Sequence, residues 1–296
     1  MTEAPATTEL AADRKLPSLS PSRAADFKTC PLLYRYRSID RIPEQPTADQ
    51  ARGTLVHAVL ERLFDHESAQ RTEDTAATLI APQWIRMVEE QPELAGLFPE
   101  GSADGLASFL ASARDLLQGY FSVEDPRRLD PAERETLIEA TIEDQLLIRG
   151  YVDRLDVSPA GDLRVVDYKT GGAPREAFEA RALFQLKFYA LVLWRTRGVV
   201  PRVLRLLYLK DAEICDYAPE AEELARFERT LLALWKAIET ATLAQEFQPK
   251  PSKLCNWCSH QSRCPEFGGE IPPFPQQVTL TTADSRQLRL DGAQQP

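Results

Sequence analysis

Two carboxylates and a lysine recur at short spacing in two neighbouring segments. Residues 150–156 read GYVDRLD and residues 165–171 read VVDYKTG. Side chains alternate across a strand, so Asp167 and Lys169 share a face, and an antiparallel hairpin brings Asp153 beside them. Two carboxylates suit Mg²⁺, and a lysine beside the ion can hold or deprotonate an attacking water. These are the groups that hydrolysis of a phosphodiester bond requires. A solvated hairpin also carries D-x-K by chance, but the preceding G-x-x-D-R-x-D makes the combination much rarer.

Cysteines form a second candidate site. Cys255, Cys258 and Cys264 lie within ten residues, which in a cytosolic protein indicates metal ligation rather than disulfides. Cys30, near the other end of the chain, could supply a fourth thiolate. A four-cysteine set suits either Zn²⁺ or an iron–sulfur cluster, and the spacing alone does not choose between them. Cys215 lies in a strand pattern and is predicted to be a small buried hydrophobe.

Helical and strand patterns surround these residues. Ser20 and Pro21 are typical of a helix start, and His57 lies in the helical pattern of residues 53–64. A β-hairpin is predicted from about Thr136, with its turn at residues 158–161. The remaining predicted elements are helices within 75–123, at 177–194 and at 219–247, and strands at 203–209 and 213–217. The segment 75–123 has the pattern of an all-helical insertion.

Together these segments resemble the RecB-type branch of the PD-(D/E)xK nucleases, which includes the AddB nuclease domain and the CRISPR-associated spacer-processing exonucleases. The resemblance covers roughly residues 18–267. It rests on GTLVH at 53–57, on Asp153, on D-x-K at 167–169, and on FQLKFY at 184–189, which is similar to a Q-x-x-x-Y helix. It implies an α/β fold with a restriction-endonuclease-like core, a mixed central sheet flanked by helices, and the predicted element order agrees with this.

The resemblance also implies a role for each matching residue. The implied catalytic residues are Lys169, Asp167, Asp153, Gln185 and Tyr189. The implied ligands of Mg²⁺ or Mn²⁺ are His57, Asp153, Asp167 and the backbone carbonyl of Tyr168. The nuclease domain would span residues 18–268, with the helical insertion at about 75–123 and a cysteine loop at 250–267. Residues 1–17 are predicted to form a disordered tail and residues 269–296 a flexible one.

The cysteine spacing is similar to the iron–sulfur arrangement of the same relatives, whose cysteines flank the nuclease core. The resemblance therefore favours a 4Fe–4S cluster over Zn²⁺, held by Cys30, Cys255, Cys258 and Cys264. Such a cluster would join the two ends of the domain by clipping the N-terminal helix to the C-terminal loop. Its binding energy would then contribute to folding, because neither segment has much core of its own.

Composition and charge narrow the class of protein. The chain has 296 residues, of which 43% are hydrophobic and 27% charged, as is usual for a soluble globular protein. It lacks a run of about 20 apolar residues and an N-terminal signal pattern, so we predict a cytoplasmic protein without membrane contact. The net charge of −10 argues against a protein that coats nucleic acid without sequence preference. Residues 169–210 nevertheless carry nine basic and two acidic residues.

DNA is the partner that this local charge predicts. Arg35, Arg37 and Lys187 lie in basic stretches that also contain aromatic residues, and we predict that they contact DNA. The sequence has no G-x-x-x-x-G-K-[ST], so unwinding would need a separate helicase. Residues 287–290, QLRL, resemble the start of a sliding-clamp-binding peptide.

The predicted function is that of a metal-dependent DNA exonuclease. It would act on single-stranded DNA or DNA ends, in DNA repair, recombination or foreign-DNA processing. One alternative keeps the fold without the chemistry: a catalytically inactive DNA-binding or scaffolding subunit of a helicase–nuclease complex. Another is a zinc-stabilised interaction module. The intact His57, Asp153, Asp167 and Lys169 speak against decayed catalysis.

Overall fold

The computed structural model describes residues 16–99, 103–173, 179–276 and 278. Within them lie six strands: β1 (Ser18–Leu19), β2 (Glu133–Ile142), β3 (Leu146–Val157), β4 (Leu163–Lys169), β5 (Val203–Tyr208) and β6 (Glu213–Tyr217). The α-helices are α1 (Pro21–Thr29), α2 (Pro31–Tyr34), α3 (Ala48–Leu63), α4 (Glu73–Glu90), α5 (Ala103–Val123), α6 (Glu179–Arg197) and α7 (Ala221–Ala244). A π-helical turn at Arg35–Ile39 follows α2. Among the described residues, no helix has the length and apolar character needed to cross a membrane.

The strands form one mixed sheet around a long hairpin. Strand β2 pairs with β3 in antiparallel register along one edge of β3. On the other edge, β1 pairs in parallel with the start of β3, and β4 pairs in antiparallel with its end. Strand β5 lies parallel to β4 beyond α6, and β6 closes the sheet as an antiparallel neighbour. This confirms the predicted α/β fold with helices on both faces of a mixed sheet.

Strand β4 is buried on both faces. Val165 packs in the core that contains residues of α6 and α7, whereas Val166 and Tyr168 pack with residues of α3, α4 and α5. Because both faces are covered, the apolar residues 165 and 166 follow each other instead of alternating with polar ones. Asp167 and Lys169 lie at the carboxyl end of β4, on the Val165 face.

Helix starts follow local capping chemistry. Ser20 caps α1 by accepting a hydrogen bond from the Arg23 N–H, and Pro21 occupies the first turn, as predicted. Helix α3 begins at Ala48, five residues before the predicted start, because Thr47 and Gln50 form a reciprocal capping box. The apolar period that begins at residue 53 marks only the buried part of this helix.

The two predicted tails fall mostly outside the described residues. Residues 1–15 lie there, as do residues 279–296 with the clamp-like tetrapeptide 287–290. The described part of the C-terminal segment packs on the domain. Phe274 stacks on Phe247 with ring centroids 6.2 Å apart and lies under the Arg35 guanidinium. Packed structure therefore extends beyond the predicted boundary at residue 268.

Gly119 lies where α5 contacts the backbone after β5. A Cβ at this position would be 1.8 Å from the Leu209 carbonyl oxygen, and a backbone atom cannot rotate away. We expect Gly119→Ala to lower the free energy of unfolding by about 1–3 kcal/mol, measured by urea denaturation. Gly96→Ala is the matched control, because nothing lies within 4 Å of its added Cβ. Equal stability of the two variants would contradict this packing.

Candidate active site and cysteine loop

Strands β3 and β4 separate at the site. Their ladder pairs residues 154–157 with residues 163–166. Beyond it, the Asp153 carboxylate takes the place of a strand carbonyl and accepts a 2.7 Å hydrogen bond from the Tyr168 N–H. Lys169 Nζ lies 2.8 Å from Asp167 Oδ2. The hairpin therefore brings Asp153, Asp167 and Lys169 to the end of β4.

Helix α3 brings His57 to the same place. Its Nε2 lies 2.9 Å from the Tyr168 carbonyl oxygen. Since a carbonyl only accepts, Nε2 is the donor in this contact. Nδ1 faces the Asp153 carboxylate, 3.5 Å from its Oδ2. One turn earlier, a Cβ on Gly53 would lie 3.2 Å from Thr170 Oγ1, so glycine lets α3 approach the end of β4 closely.

Helix α6 completes the network from the other side. Lys169 Nζ donates a 2.9 Å hydrogen bond to Gln185 Oε1, and Gln185 Nε2 donates one of 2.9 Å to the Tyr189 hydroxyl. Gln185 and Tyr189 are one helical turn apart, so they share a face of α6. The structure thus joins every residue of the predicted site into one chain of contacts. Their roles as ligands and catalysts stay predictions.

The pKa values of the two aspartates are shifted in opposite directions. Burial raises the pKa of Asp167 to about 6, and the Asp153 charge adds to this while Lys169 opposes it. Burial also acts on Asp153, but its contacts with His57 and the Tyr168 N–H outweigh it and lower the pKa of this carboxyl. Burial acts to lower the pKa of His57, but the carboxylates of Asp153 and Glu135 outweigh it and raise that pKa. The two aspartates of the site therefore differ in the pH range in which each is ionised.

The donor set fits a small divalent cation. Asp167 is 2% exposed, and the partner that the described part of the chain gives its Oδ2 is the Lys169 ammonium, 2.8 Å away. Two carboxylates, a backbone carbonyl and an imidazole are ligands that Mg²⁺ and Mn²⁺ accept. The site can thus hold a cation next to a fixed ammonium group.

Comparison with known families agrees with this geometry. The family model described as the PD-(D/E)XK nuclease superfamily matches residues 18–265. The chain belongs to the PD-(D/E)XK nuclease superfamily. The matched span includes β1, all strands of the site, and the four cysteines of the predicted cluster.

Relatives from two phages cover nearly the same length. The Gene 69 protein of Mycobacterium phage D29 is 28% identical over 274 residues, covering 86% of this chain and 98% of its own. That of Mycobacterium phage L5 is 24% identical over 290 residues, covering 85% and 97%. A crystal structure from Eubacterium rectale, provisionally named an exonuclease, superposes with a TM-score of 0.51 at 10% identity, covering 89% of this chain and 91% of its own. This structural likeness supports the fold.

The structure adds Glu135 to the site of this superfamily member. Its Oε1 lies 3.7 Å from His57 Nδ1, and ligand atoms of His57, Glu135 and Asp153 lie within 4.8 Å of one another. No motif marks Glu135 in the sequence. The signal for Glu135 is the register of the β2–β3 hairpin, which sets residue 135 opposite residue 153.

Arg154 and Asp156, which follow Asp153 in β3, have structural contacts. The Arg154 side chain is fully buried and donates to both carboxylate oxygens of Glu124, at 2.6 and 2.8 Å. It also donates a 3.0 Å hydrogen bond to the Tyr168 hydroxyl. Asp156 pairs with Arg154 and with Arg164. These residues support the strands from the face opposite Asp167 and Lys169.

The residues predicted to contact DNA are engaged within the protein. Arg35 is 5% exposed and pairs with Asp40. Arg37 is held by Asp26 and Glu44, and Lys187 Nζ lies 2.7 Å from Glu223 Oε1. A cation that already has a carboxylate partner offers fewer donors to phosphate, so these contacts with DNA stay a prediction.

The four predicted cluster cysteines line one cavity of about 140 Å³. Cys30 Sγ accepts a hydrogen bond from the Lys250 N–H, and Cys255 Sγ accepts one from the Ser252 N–H. Burial raises the pKa of the Cys258 thiol, and the neighbouring Cys30 and Cys255 add to the effect. In the described chain, no three cysteine sulfurs lie mutually within 4.8 Å. Cys215 packs at the margin of the core instead.

A buried ion network ties the cysteine loop to the segment after the π-helical turn. His260 is 2% exposed, and its Nε2 lies 2.7 Å from Glu44 Oε1. Glu44 also accepts two hydrogen bonds from Arg37. The Tyr36 hydroxyl donates to the Arg263 carbonyl. The loop is therefore fixed by polar contacts as well as by any group that the cysteines hold.

This network predicts acid sensitivity. Burial acts to raise the pKa of Glu44, but hydrogen bonds from His260 and Arg37 outweigh it and bring the pKa from 4.5 to about 2. A carboxyl with a lowered pKa stabilises the fold above its ordinary pKa, and this contribution is lost as the pH falls from 4.5 towards 2. We expect Glu44→Gln to lower the free energy of unfolding at pH 7 by about 1–2 kcal/mol, less than the full shift because the site is partly solvated.

The measurement is urea denaturation of the two proteins at pH 7 and pH 3. The stability difference between wild type and Glu44→Gln should fall by more than half at the lower pH. A difference that is independent of pH would show that Glu44 acts through packing alone.

Proposed function

We propose that the chain is a divalent-metal-dependent DNA exonuclease of the RecB type. The observation that carries the proposal is the position of Lys169 Nζ, fixed between Asp167 and Gln185 at the end of β4. A charged amine with only 12% exposure, 2.8 Å from a buried carboxylate oxygen, is suited to catalysis more than to packing. The name given to the structure from Eubacterium rectale points to the exonuclease class.

Each residue of the site would have its own role in hydrolysis. A bound Mg²⁺ or Mn²⁺ would polarise the scissile phosphate and lower the pKa of a bound water. His57, Asp153, Asp167 and the Tyr168 carbonyl would hold that ion. Lys169 Nζ would orient the attacking water and stabilise negative charge on the phosphate.

Gln185 and Tyr189 position the lysine. The Gln185 amide donates to the Tyr189 hydroxyl, which leaves its carbonyl oxygen facing Lys169 Nζ. Tyr189 is close to Gly150 of β3, where an added Cβ would lie 2.7 Å from its ring. The glycine of G-x-x-D therefore gives Tyr189 the room to hold Gln185.

A matched pair of substrates tests the proposal. Anaerobically purified protein with Mg²⁺ or Mn²⁺ would be incubated with end-labelled linear single-stranded DNA and with a closed single-stranded circle. Loss of the linear substrate alone is the expected result. Cutting of the circle would make the enzyme an endonuclease, and no metal-dependent cleavage of either would favour the inactive DNA-binding or scaffolding alternative.

We further propose a 4Fe–4S cluster on Cys30, Cys255, Cys258 and Cys264. Support comes from their shared cavity and from backbone N–H groups directed at two sulfurs. Sulfurs around a tetrahedral zinc lie only about 3.8 Å apart, as Zn–S bonds of about 2.3 Å require. In the described part of the chain, no three of these sulfurs lie that close to one another.

The cluster proposal predicts a colour. Protein purified without oxygen should be brown, with visible absorbance that Cys30→Ser diminishes, and Cys215→Ser should leave that absorbance unchanged. Iron and sulfide analysis gives the stoichiometry. A colourless protein with one zinc per chain would instead support the zinc alternative. We place this activity in the cytoplasm, in DNA repair, recombination or foreign-DNA processing, with unwinding left to a separate helicase.

A further inference from the structure

We propose that Glu135 is a direct ligand of the divalent cation, forming with His57 and Asp153 a His/Glu/Asp metal site between α3 and the β2–β3 hairpin. This inference deepens the proposed function and rests on it for the role of the ion in hydrolysis. The motifs of the sequence assign no role to Glu135. Three observations carry the proposal: the register of the hairpin, the geometry around Nδ1 of His57, and the local balance of charge.

The hairpin register sets Glu135 directly across from Asp153. Arg134 pairs with Arg154 and Thr136 with Val152, so the intervening residues 135 and 153 face each other. Cross-strand neighbours at such a position bring their side chains together. Glu135 itself adopts φ of +44°, a left-handed conformation that a long side chain rarely takes. Its backbone is thus held in an unfavourable state at the position where its carboxylate meets the site.

The imidazole of His57 presents one nitrogen to these carboxylates. Its Nε2 donates to the Tyr168 carbonyl, which leaves Nδ1 to face Glu135 Oε1 at 3.7 Å and Asp153 Oδ2 at 3.5 Å. Ligands about 2.1 Å from an octahedral Mg²⁺ lie about 3.0 Å apart when adjacent and about 4.2 Å apart when opposite. Both measured distances fall between these limits. A cation at the centre of the three atoms would therefore need only small side-chain adjustments.

The charged groups around Glu135 favour a bound cation. Its ion-pair partner among the described residues is His57. The Asp153 carboxylate faces the same nitrogen of His57. Two carboxylates, with side chains 21% and 10% exposed, thus share one imidazole. A divalent cation supplies the positive charge that such a group lacks.

Equilibrium binding of Mn²⁺ tests the assignment without any substrate. Free Mn²⁺ would be measured by electron paramagnetic resonance in titrations of the full-length protein, and DNA cleavage would be followed separately. We expect Glu135→Gln to weaken Mn²⁺ binding by about 10-fold or more. Glu139→Gln is the matched control, because Glu139 lies on the same strand with a half-exposed side chain near Arg149. It should bind Mn²⁺ like the wild type.

A second variant guards against misfolding. Glu135→Gly removes the carboxylate and suits the positive φ, since glycine adopts that conformation readily. It should fold and still lose Mn²⁺ affinity. Wild-type affinity in either folded Glu135 variant would overturn the proposal, as would a wild-type protein that does not bind Mn²⁺.

The two assays separate this inference from the proposed function. Weakened Mn²⁺ binding in the Glu135 variants would support the metal site even if the wild type cleaves no DNA, in which case the proposed function fails alone. Cleavage by the wild type together with unchanged Mn²⁺ affinity in the variants would overturn the ligand role of Glu135 and leave the nuclease intact.

Discussion

Lys169→Met should reduce the rate of DNA hydrolysis by about 10²–10⁴-fold, the usual contribution of a positioned proton-transfer or water-orienting group. Lys169 Nζ lies 2.8 Å from Asp167 Oδ2 and donates to Gln185 Oε1. The methionine side chain has similar length and fills the same space without the charge. The variant should lose stability, because the buried Asp167 carboxylate loses its cation, but the folded protein should still bind DNA while the chemical step is lost. The measurement is the single-turnover rate on end-labelled linear single-stranded DNA with saturating Mg²⁺.

The control for this variant removes a lysine from the surface. Lys236 on α7 is 75% exposed and pairs with Glu239, so Lys236→Met should leave the rate unchanged. Fluorescence anisotropy with labelled DNA and Ca²⁺ reports binding apart from cleavage. If Lys169→Met cleaved DNA at the wild-type rate, the lysine would be structural and the proposed mechanism would be wrong.

The core of the site could be predicted from the sequence because strand and helix periods decide which residues meet. The alternation of β4 sets Asp167 and Lys169 on one face, and the four-residue interval sets Gln185 and Tyr189 on one face of α6. Hairpin pairing does the same for Asp153. Each of these relations is local, and the structure reproduces the resulting proximity.

Residues whose partners are distant in the sequence were harder to interpret. Arg37 lies in a basic stretch that is typical of a DNA contact. Its partners Asp26 and Glu44 lie in other segments of the chain and form ion pairs with it within the protein. Lys187 is similarly neutralised by Glu223 of α7. Charge alone does not reveal such pairing, because it depends on how the elements pack. The presence of Glu135 in the site likewise follows from the hairpin register and an unusual backbone angle.

The same limit applies to the ends of the domain. The proline-rich stretch after the π-helical turn resembles a linker in composition, yet Glu44 within it is half-buried and contacts His260 of the cysteine loop. The four cysteines line one cavity although 225 residues separate the first from the next of them. Contacts between the two ends of the chain, rather than local pattern, therefore build this side of the molecule.

Arg154→Met should lower the free energy of unfolding by about 3–5 kcal/mol, because it leaves the buried carboxylate of Glu124 without its close cation and with Arg205 3.9 Å away. The Arg154 side chain is 0% exposed and that of Glu124 is 7% exposed. The same guanidinium donates to the Tyr168 hydroxyl, and Tyr168 lies between Asp167 and Lys169. Loss of this support should also reduce the hydrolysis rate without affecting any group that touches the phosphate. Urea denaturation and the linear-DNA assay measure the two effects.

The double variant Arg154→Met with Glu124→Leu separates the causes. Removing both charges avoids the unpaired carboxylate, and a buried ion pair replaced by apolar groups of similar size is often neutral in stability. We therefore expect most of the lost stability to return. The hydrolysis rate should stay low, because neither methionine nor leucine can donate to the Tyr168 hydroxyl. Arg127→Met is the surface control, since Arg127 forms an exposed pair with Asp125. If the single Arg154 variant were as stable as this control, Arg154 would not be the support of the catalytic strand.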